Sequence, residues 1–457
     1  MKKGDILELD ITSYGKDGEG VAKLNDFVIF IPGCLIGERI RAQITDVKKS
    51  FAFAKVIKVL IPSKDRITPF CPIFFRCGGC EMQHVNYDYQ LEVKRENIKN
   101  CIEKACKMEV RVDPVVTGDK KFGYRNKVQI PIKEINGEAK AGFYKQGSHI
   151  FVPFEKSVDI NFGDCPLHTH NMQLFIDAVV EWVNKYKIST YDENKNVGII
   201  RHLVLRRIDN SYSVCIVINS KNLPKQRELI ESLEKLDMPF SLYVSQNLKS
   251  TNVIMGDSLV CLYGEEKIQG NALGVKFTVN PNSFLQVNDE IRDEIYKRVI
   301  YEVSNFKEAI VFDVYSGIGI LSNVFAKSAK EVISIEIVKE AVADAIKLAK
   351  TNSNNNITNI CGDAAIELPK AIKNYAGKNT IIVIDPPRKG CDEKVINAII
   401  ESKPKKIIYI SCNPSTLGRD LSKLIEVYNI DSITPYDMFP QTKHVETVVL
   451  LTLKNQK

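Results

Sequence analysis

The chain lacks the features that would place it in a membrane or direct it to export. No stretch approaches the roughly 18 uninterrupted apolar residues that a membrane-spanning helix requires. The amino terminus, Met1–Asp5, has two lysines, but no continuous apolar run follows them, so we expect no signal peptide. Hydrophobic residues make up 44% and charged residues 26% of the 457 positions, which is typical of a soluble protein with about two to three domains.

A strong excess of one charge is also missing. The formal net charge of +7 is spread along the chain and argues only weakly for a nucleic-acid partner. Local clusters say more, because Arg201, Arg206 and Arg207 form one basic group and residues 120–145 form another. On charge alone, these groups fit a solvated face as well as an RNA-binding track. The second group consists of Lys120, Lys121, Arg125, Lys127, Lys133, Lys140 and Lys145.

Cysteine is plentiful, with twelve residues, and without an export signal this indicates a reducing, cytoplasmic location where thiols serve metals or catalysis. Three cysteines, Cys71, Cys77 and Cys80, lie within ten residues, and Cys165 could supply a fourth thiolate. Four thiolates suit a [4Fe–4S] cluster or structural zinc. We favour the iron–sulfur interpretation, because the ligands of zinc sites usually come as two pairs that are each close in sequence. Seven cysteines are isolated and are expected to pack: Cys34, Cys101, Cys106, Cys215, Cys261, Cys361 and Cys391.

Three regions follow one another along the chain. Residues 1–60 combine short β segments with frequent glycines, which predicts a small β-barrel of the kind that often binds oligonucleotides. Residues 61–275 mix helical and strand patterns around the cysteine cluster and predict an α+β domain. In residues 276–457, apolar runs alternate with helical segments, which predicts a mostly parallel, Rossmann-like α/β sheet.

The first strand of that predicted sheet runs into a glycine loop that indicates a nucleotide-type cofactor. Asp313 to Gly319 contains two glycines, and Glu336 follows at the end of the next strand, where it can accept hydrogen bonds from ribose hydroxyls. The third glycine of the dinucleotide fingerprint is missing, so NAD fits poorly. The negative charge of Asp313 would repel a pyrophosphate but attract a positively charged cofactor, which favours S-adenosylmethionine. Asp363, after the third strand, either faces the adenine or caps a helix.

Cys412, in Ser411–Pro414, follows an apolar run and so lies at the carboxyl edge of the predicted sheet. A preceding strand ends in Asp385 to Arg388, and Arg388 stands where amino-methylating enzymes place an aromatic residue. A thiolate adds readily to an electron-poor ring carbon. Methylation of a pyrimidine at C5 needs such an addition at C6 and a base that removes the C5 proton. Glu446 can be that base, although in isolation a surface glutamate at the start of a strand is the stronger interpretation.

Five motifs in this order resemble the RNA uracil-5 methyltransferases that use S-adenosylmethionine. They are Gln286–Asn288, Asp313–Gly319, Asp385–Arg388, Ser411–Pro414 and His444–Thr447. The resemblance covers essentially the whole chain, since residues 1–60 resemble a TRAM domain. It implies that Cys412 is the nucleophile on C6 and Glu446 the base, with Gln286, Tyr315, Glu336 and Asp385 lining the cofactor and uracil pocket. Two positions depart from many relatives, namely Ser316 in place of cysteine and Ile320 in place of asparagine.

The resemblance is to the 23S ribosomal RNA branch of the family, which carries a [4Fe–4S] cluster on cysteines that match Cys71, Cys77, Cys80 and Cys165. It implies methylation of an unpaired uridine in 23S ribosomal RNA, with no membrane and no obligate protein partner. Three alternatives remain. The substrate could be the T-loop uridine of transfer RNA or an RNA cytosine, although Asp385-Pro386-Pro387 lacks the second cysteine usual in cytosine enzymes. The chain could also be an inactive RNA-binding relative.

Overall fold

The computed structural model describes residues 1–15, 18–25, 27–156, 162–306 and 308–454. The first part of the chain forms one curled sheet with the strand order β1-β5-β6-β4-β3-β2. Since β1 and β2 are consecutive in the chain but lie at opposite ends of this order, the sheet closes on itself, as expected for a small barrel. The strands are β1 (Ile6–Asp10), β2 (Ser13–Tyr14), β3 (Gly20–Leu24), β4 (Phe27–Ile31), β5 (Arg39–Val47) and β6 (Phe51–Ile61).

Helix α1 (Tyr87–Cys106) follows the cysteine-rich turns and connects them to the last third of the chain. Asn86 caps its first turn by accepting a hydrogen bond from the Asp88 amide. Ile98 and Ile102 are fully buried and pack into the core of the carboxyl-terminal sheet. Helix α1 therefore lies early in the sequence but helps to build the domain that carries the proposed chemistry.

The central domain is a mixed sheet covered by two helices. Its strand order is β13-β12-β11-β10-β7-β8-β9, with only β11 and β12 pairing in parallel among the described strands. Trp182, Leu229 and Leu233 belong to the core between the helices and the sheet. The elements are β7 (Lys127–Ile135), β8 (Glu138–Tyr144), β9 (Phe151–Pro153), α2 (His170–Lys185), β10 (Ile200–Ile208), β11 (Ser211–Ile218), α3 (Gln226–Glu234), β12 (Phe240–Gln246) and β13 (Ser258–Tyr263).

The remaining chain begins with a hairpin, β14 (Ile268–Ala272) and β15 (Val275–Val279), and helix α4 (Asp289–Ser304). A doubly wound sheet follows, with the order β18-β17-β16-β19-β20-β22-β21. Its elements are β16 (Ile310–Val314), α5 (Ile320–Phe325), β17 (Glu331–Glu336), α6 (Lys339–Thr351), β18 (Ile357–Cys361), α7 (Ala364–Lys373), β19 (Thr380–Ile384), α8 (Glu393–Ser402), β20 (Lys406–Ser411), α9 (Pro414–Leu424), β21 (Tyr428–Tyr436) and β22 (Glu446–Leu453).

The Rossmann-like prediction is confirmed, since β16 to β20 pair in parallel and β22 runs antiparallel between β20 and β21. In the β20–β22 ladder, Ser411 lies opposite Thr447. The next position at this edge brings together Cys412 and Glu446. Among the described residues, no helix is both long and apolar enough to cross a lipid bilayer.

Candidate active site

The residues expected to carry the chemistry meet at one edge of the doubly wound sheet. Tyr315, Glu336, Asp385 and Cys412 each end, or directly follow, a parallel strand. Parallel strands of an open α/β sheet deliver their carboxyl ends to the same crevice, where ligands bind. Glu446 reaches that edge from the opposite direction, because β22 begins there and runs antiparallel.

Local sequence holds Cys412 between the end of β20 and the start of α9. Asn413 caps the helix by accepting the Ser415 amide at 3.0 Å, and Pro414 occupies the first helical turn. The Asn413 side chain also donates to the Arg388 carbonyl oxygen at 3.1 Å. This bond joins the cysteine turn to the loop that follows Asp385. Cys412 is half-buried at this edge of the sheet.

Burial raises the pKa of the Cys412 thiol to about 11, and the nearby carboxylates of Glu446 and Asp385 act in the same direction. The Arg388 guanidinium lowers it. These four side chains therefore form one electrostatic group, in which the thiolate is costly in the free enzyme and Arg388 is the cation that favours it. The sequence had singled out Arg388 only as a departure from the amino-methylating pattern.

Glu446 is buried, with 3% of its surface exposed, and its Oε2 atom has no hydrogen-bond partner in the described structure. Burial raises the pKa of this carboxyl well above its usual range, and the Asp385 charge adds to the shift. Burial and the Asp313 charge similarly raise the pKa of Asp385 to about 7. A solvated surface glutamate is thus excluded for Glu446. A buried carboxyl with a strongly raised pKa and an unpartnered oxygen makes Glu446 a candidate functional residue.

The glycine loop after β16 has the geometry of a cofactor cradle. Gly317 and Gly319 adopt φ angles of +57° and +80°, and a Cβ atom placed on Gly317 would meet open space. Glu336 receives the Gly317 amide at 2.9 Å on one carboxylate oxygen and the Val338 amide at 2.9 Å on the other. The carboxylate is therefore held in position at the rim of the open space. This arrangement fits the adenosine part of S-adenosylmethionine.

Two carboxylates near this loop have structural roles. Asp313 is buried and accepts a hydrogen bond from the Ser322 hydroxyl on α5, which ties the strand to the helix that follows the loop. Its burial raises its pKa to about 6. Asp363 caps α7 by accepting the Ala365 amide at 2.9 Å, so its predicted capping role is confirmed.

Gln286 is partly exposed and lies on the loop before α4. Hydrogen bonds attach this loop to the central domain. The Asn126 side chain donates to the Gln286 carbonyl oxygen at 2.9 Å and to the Asp289 carboxylate at 2.8 Å. Asn288 caps α4 and also donates to the Met438 carbonyl oxygen at 3.4 Å. The loop thus links the central domain, α4 and the segment before β22. Asn126 was missed in the sequence, because an asparagine inside a basic run carries no distinct signal.

The four cysteines of the predicted metal site line one cavity of about 360 Å³, between the turns before α1 and the central sheet. All four are free thiols, and burial raises the pKa of each, that of Cys165 to about 12. The Arg125 guanidinium acts in the opposite direction on Cys80 and Cys165. Within the described chain, no three ligand side chains converge closely enough for a single metal ion. The four thiols share a cavity without sharing one centre.

The basic groups are only partly available to RNA. Arg201 and Arg206 are 5% and 1% exposed, so they form neither a solvated face nor an RNA-binding track. Arg201 donates to the carbonyl oxygens of Asn247 and Lys249, and Arg206 donates to that of Ser283. Arg207 is ion-paired with Asp289 at 3.5 Å. Of the basic side chains in residues 120–145, those that are exposed are Lys120, Lys121, Lys140 and Lys145.

Together, the doubly wound sheet, the glycine cradle and the acidic side chain at the end of β17 define an S-adenosylmethionine-dependent methyltransferase. Comparison with known proteins identifies the family. Residues 217–454 match the model of the tRNA (uracil-5-)-methyltransferase family, and residues 1–57 match the TRAM domain. The chain belongs to this family of RNA methyltransferases. The matched ranges include the five motifs and the barrel.

Similar full-length proteins occur in several bacteria. The chain is 35% identical to an uncharacterized RNA methyltransferase of Clostridium acetobutylicum, covering 99% of this chain and 98% of that protein. It is 38% identical to one of Caldanaerobacter subterraneus, covering 99% of both. Among solved structures, the tRNA (uracil-54, C5)-methyltransferase of Pyrococcus abyssi, in complex with S-adenosyl-L-homocysteine, matches with a TM-score of 0.76 and 26% identity. That match covers 98% of this chain and 100% of the other.

Proposed function

We propose that this protein methylates C5 of a uridine in 23S ribosomal RNA, with Cys412 as the nucleophile on C6 and Glu446 as the base that removes the C5 proton. The observation that carries the proposal is the position of these two side chains. They lie one step beyond the Ser411–Thr447 pair, at the edge that also holds the cofactor cradle. A cysteine that only packs in the core and a glutamate that only faces solvent would not be expected to lie together at this edge.

The reaction begins with the Cys412 thiolate. Its Sγ bonds to C6, and the electron pair of the C5–C6 double bond moves toward the C4 carbonyl, which makes C5 nucleophilic. Arg388 favours the thiolate that starts this step. S-adenosylmethionine, when bound, supplies the methyl group that C5 takes up.

The second half of the reaction belongs to Glu446. Its carboxylate takes the proton from C5, the double bond to C6 forms again, and the Cys412 thiolate leaves. The raised pKa of Glu446 makes it a stronger proton acceptor than an ordinary carboxylate. The net products are a methylated uridine, S-adenosylhomocysteine and one proton, and Cys412 returns to its starting state.

The remaining predicted residues have positions that suit binding. Glu336 borders the open space beside Gly317 and would hold the cofactor, with Tyr315 at the head of the same loop as a second candidate. Asp385 faces Cys412 and Glu446, where its carboxyl would contact the uracil ring. Gln286 would approach from the loop before α4. A stacked uracil hides C6, so the substrate uridine must be unpaired or flipped out of its helix.

We also propose that Cys71, Cys77, Cys80 and Cys165 hold a [4Fe–4S] cluster with a structural or RNA-orienting role. The four cysteines line one cavity and would hold the cluster through their thiolates. They do not converge on one point, whereas a structural zinc would need four ligands around a single ion. The Arg125 guanidinium partly balances the negative charge of four thiolates.

A transfer RNA uridine is the second candidate substrate. The tRNA (uracil-54, C5)-methyltransferase of Pyrococcus abyssi aligns with nearly the whole of this chain, barrel included. A TRAM-type barrel therefore does not by itself favour ribosomal RNA. The resemblance of the cysteine set to the ribosomal branch is what supports 23S ribosomal RNA as the first candidate.

The test uses RNA tritiated at uracil C5. Purified protein and S-adenosylmethionine are incubated separately with labelled 23S ribosomal RNA and with a labelled transfer RNA, and tritium released to water is counted. We expect release from 23S ribosomal RNA and none with Cys412→Ala. Release from transfer RNA alone would assign the second candidate. Wild-type protein that releases tritium from neither RNA would contradict the proposal and leave an RNA-binding role.

A further inference from the structure

Gln441 lies in the segment that leads into β22 and has a backbone conformation that is unusual for its residue type. Its φ angle is +69°, in the left-handed region, which is disfavoured for a residue with a Cβ atom. Gln441 is also buried, with 4% of its surface exposed. A strained residue persists only where its surroundings hold it, and such residues cluster at functional sites. Contacts from other parts of the chain must therefore keep Gln441 in place.

The turn that follows Cys80 and helix α1 supply these contacts. The amides of Glu81 and Met82 both donate to the Gln441 carbonyl oxygen, at 3.2 and 3.0 Å. The buried Gln90 side chain donates to the Gln441 Oε1 atom at 3.0 Å and to the Met82 carbonyl oxygen at 2.9 Å. Both the backbone and the side chain of Gln441 are thus bonded to a distant part of the sequence.

The residues just before Gln441 are held from the same side. The Tyr124 hydroxyl donates to the Pro440 carbonyl oxygen at 3.0 Å. The Lys94 ammonium group donates to the Phe439 carbonyl oxygen at 3.1 Å. Together with the bonds to Gln441, these contacts engage the carbonyl oxygens of three consecutive residues. The segment therefore has little freedom to shift.

Glu446 begins β22, five residues after Gln441. Its Oε2 atom has no hydrogen-bond partner among the described residues, so the position of the carboxylate depends on the backbone that leads to it. A base must lie within hydrogen-bond reach of the proton that it removes, and a displacement of about 1 Å can slow a reaction about a hundredfold. Cys412 lies on a different turn, which the Asn413 side chain bonds to the Arg388 loop. A shift of Gln441 would therefore disturb the base and leave the nucleophile in place.

We propose that Gln441 is a positioning residue that aims the Glu446 carboxylate at C5 of the uracil, and this inference rests on the proposed methylation. The bonds from Glu81, Met82 and Gln90 keep its left-handed backbone in place. The turn after the cysteine cluster thus acts on the last step of the reaction, in which the C5 proton is removed. Addition of the thiolate and transfer of the methyl group do not depend on it.

A single-turnover assay separates the two halves of the reaction. Excess protein is mixed with 23S ribosomal RNA tritiated at uracil C5 and with S-adenosylmethionine labelled in its methyl group, and methyl incorporation and tritium release are followed over time. Gln441→Ala loses the side-chain bond and keeps the strain. We expect its tritium release to slow about tenfold or more and its methyl incorporation to stay within about twofold of wild type. The RNA should then accumulate as a covalent protein adduct in denaturing electrophoresis.

Two variants show whether the effect comes from the backbone of Gln441. Gln441→Gly also loses the bond but adopts a left-handed φ without strain, so it should release tritium at close to the wild-type rate. Asn247→Ala is the matched control, because Asn247 is 3% exposed and its side chain donates to the carbonyl oxygens of Val253 and Ile254 in the central domain. It should accumulate no adduct. The proposal would be overturned by normal tritium release from Gln441→Ala, by equally slow release from Gln441→Gly, or by an adduct with Asn247→Ala.

Hydrogen–deuterium exchange of the free protein tests the contacts of Gln441 without any reaction. In Gln441→Ala and in Gln90→Leu, the amides of residues 438–445 should exchange faster than in wild type, because each variant breaks the bond between the two side chains. Asn247→Ala should leave these amides unchanged. Exchange at the wild-type rate in both variants would contradict the proposal. Wild-type protein that transfers no methyl group, together with faster exchange in the two variants, would refute the methylation and leave the hold on the segment intact.

Discussion

Cys412 directly follows Ser411 and Glu446 directly precedes Thr447, the last pair in the ladder of β20 and β22, so both residues lie at the same edge of the sheet. Their proximity is visible in the electrostatics, because the Glu446 carboxylate is the largest charge that raises the pKa of the Cys412 thiol. The pairing of β20 with β22 thus delivers the nucleophile and the base of the proposed reaction to the same edge of the sheet.

Glu446→Gln should stop the reaction after methyl transfer. The amide cannot accept the C5 proton, so the bond between Cys412 and C6 cannot break, and a covalent protein–RNA adduct should accumulate. Denaturing electrophoresis with labelled RNA measures the adduct. Cys412→Ala combined with Glu446→Gln is the control and should form none. Normal turnover by Glu446→Gln would show that another group is the base.

The reactivity of Cys412 should depend on its charged neighbours. Its pKa of about 11 predicts that alkylation by iodoacetamide speeds up about tenfold per pH unit from pH 7 toward that value. Asp385→Asn removes a charge that raises the pKa and should shift the profile to lower pH, whereas Arg388→Gln should shift it to higher pH. Peptide mass spectrometry follows Cys412, with the exposed Cys361 as internal reference. Identical profiles in both variants would contradict the electrostatic grouping.

Gly317→Ala should weaken cofactor binding more than it destabilises the fold. The left-handed φ of +57° costs an alanine roughly 1–2 kcal/mol, and the new methyl group enters the open space beside Glu336. Gly377→Ala, at φ +74° in the turn before β19 and likewise facing open space, is the matched control. Both should lower the free energy of unfolding similarly. Titration calorimetry with S-adenosylhomocysteine should show weaker binding for Gly317→Ala alone, and equal affinities would contradict the cradle.

The four-cysteine cavity should hold iron. Protein purified without oxygen should contain about four iron and four sulfide per chain, and Cys80→Ser should lose most of both. Cys361→Ser, an exposed and isolated cysteine, is the control and should retain them. Elemental analysis decides the outcome. A content of about one zinc per chain, with no iron, would show that the cavity holds a structural zinc ion instead of the cluster.

Lys94 on α1 should be important for stability. Its ammonium group is 1% exposed and bonds to the Asp437 carboxylate at 2.5 Å and to the Phe439 carbonyl oxygen at 3.1 Å. Lys94→Met leaves the Asp437 charge buried without its cation, which should lower the free energy of unfolding by about 3–5 kcal/mol. Denaturant titration measures the loss. Arg227→Ala breaks an exposed pair with Glu231 and should leave the midpoint nearly unchanged.

Much of the fold follows from patterns of neighbouring residues. Apolar runs such as Ile310–Val314 predicted the parallel strands, because strands buried on both faces need continuous hydrophobic sequence. Strand β21 was not predicted, since Asn429, Asp431 and Ser432 interrupt its apolar pattern near the edge of the sheet. The capping role of Asp363 stayed open for a similar reason. A carboxylate before a helix looks the same in sequence whether it caps or binds.

The sequence by itself determined the residue types and their order along the chain: a thiol at a strand end, a glycine loop followed by an acidic residue, and a cysteine cluster. Their chemistry depends on side-chain type, which needs no coordinates. Only the tertiary structure decided which groups meet and which are buried. Antiparallel insertion of β22 set Glu446 against Cys412, and burial made Arg201 and Arg206 internal. Contacts between distant segments and exclusion of water arise only when the chain is packed.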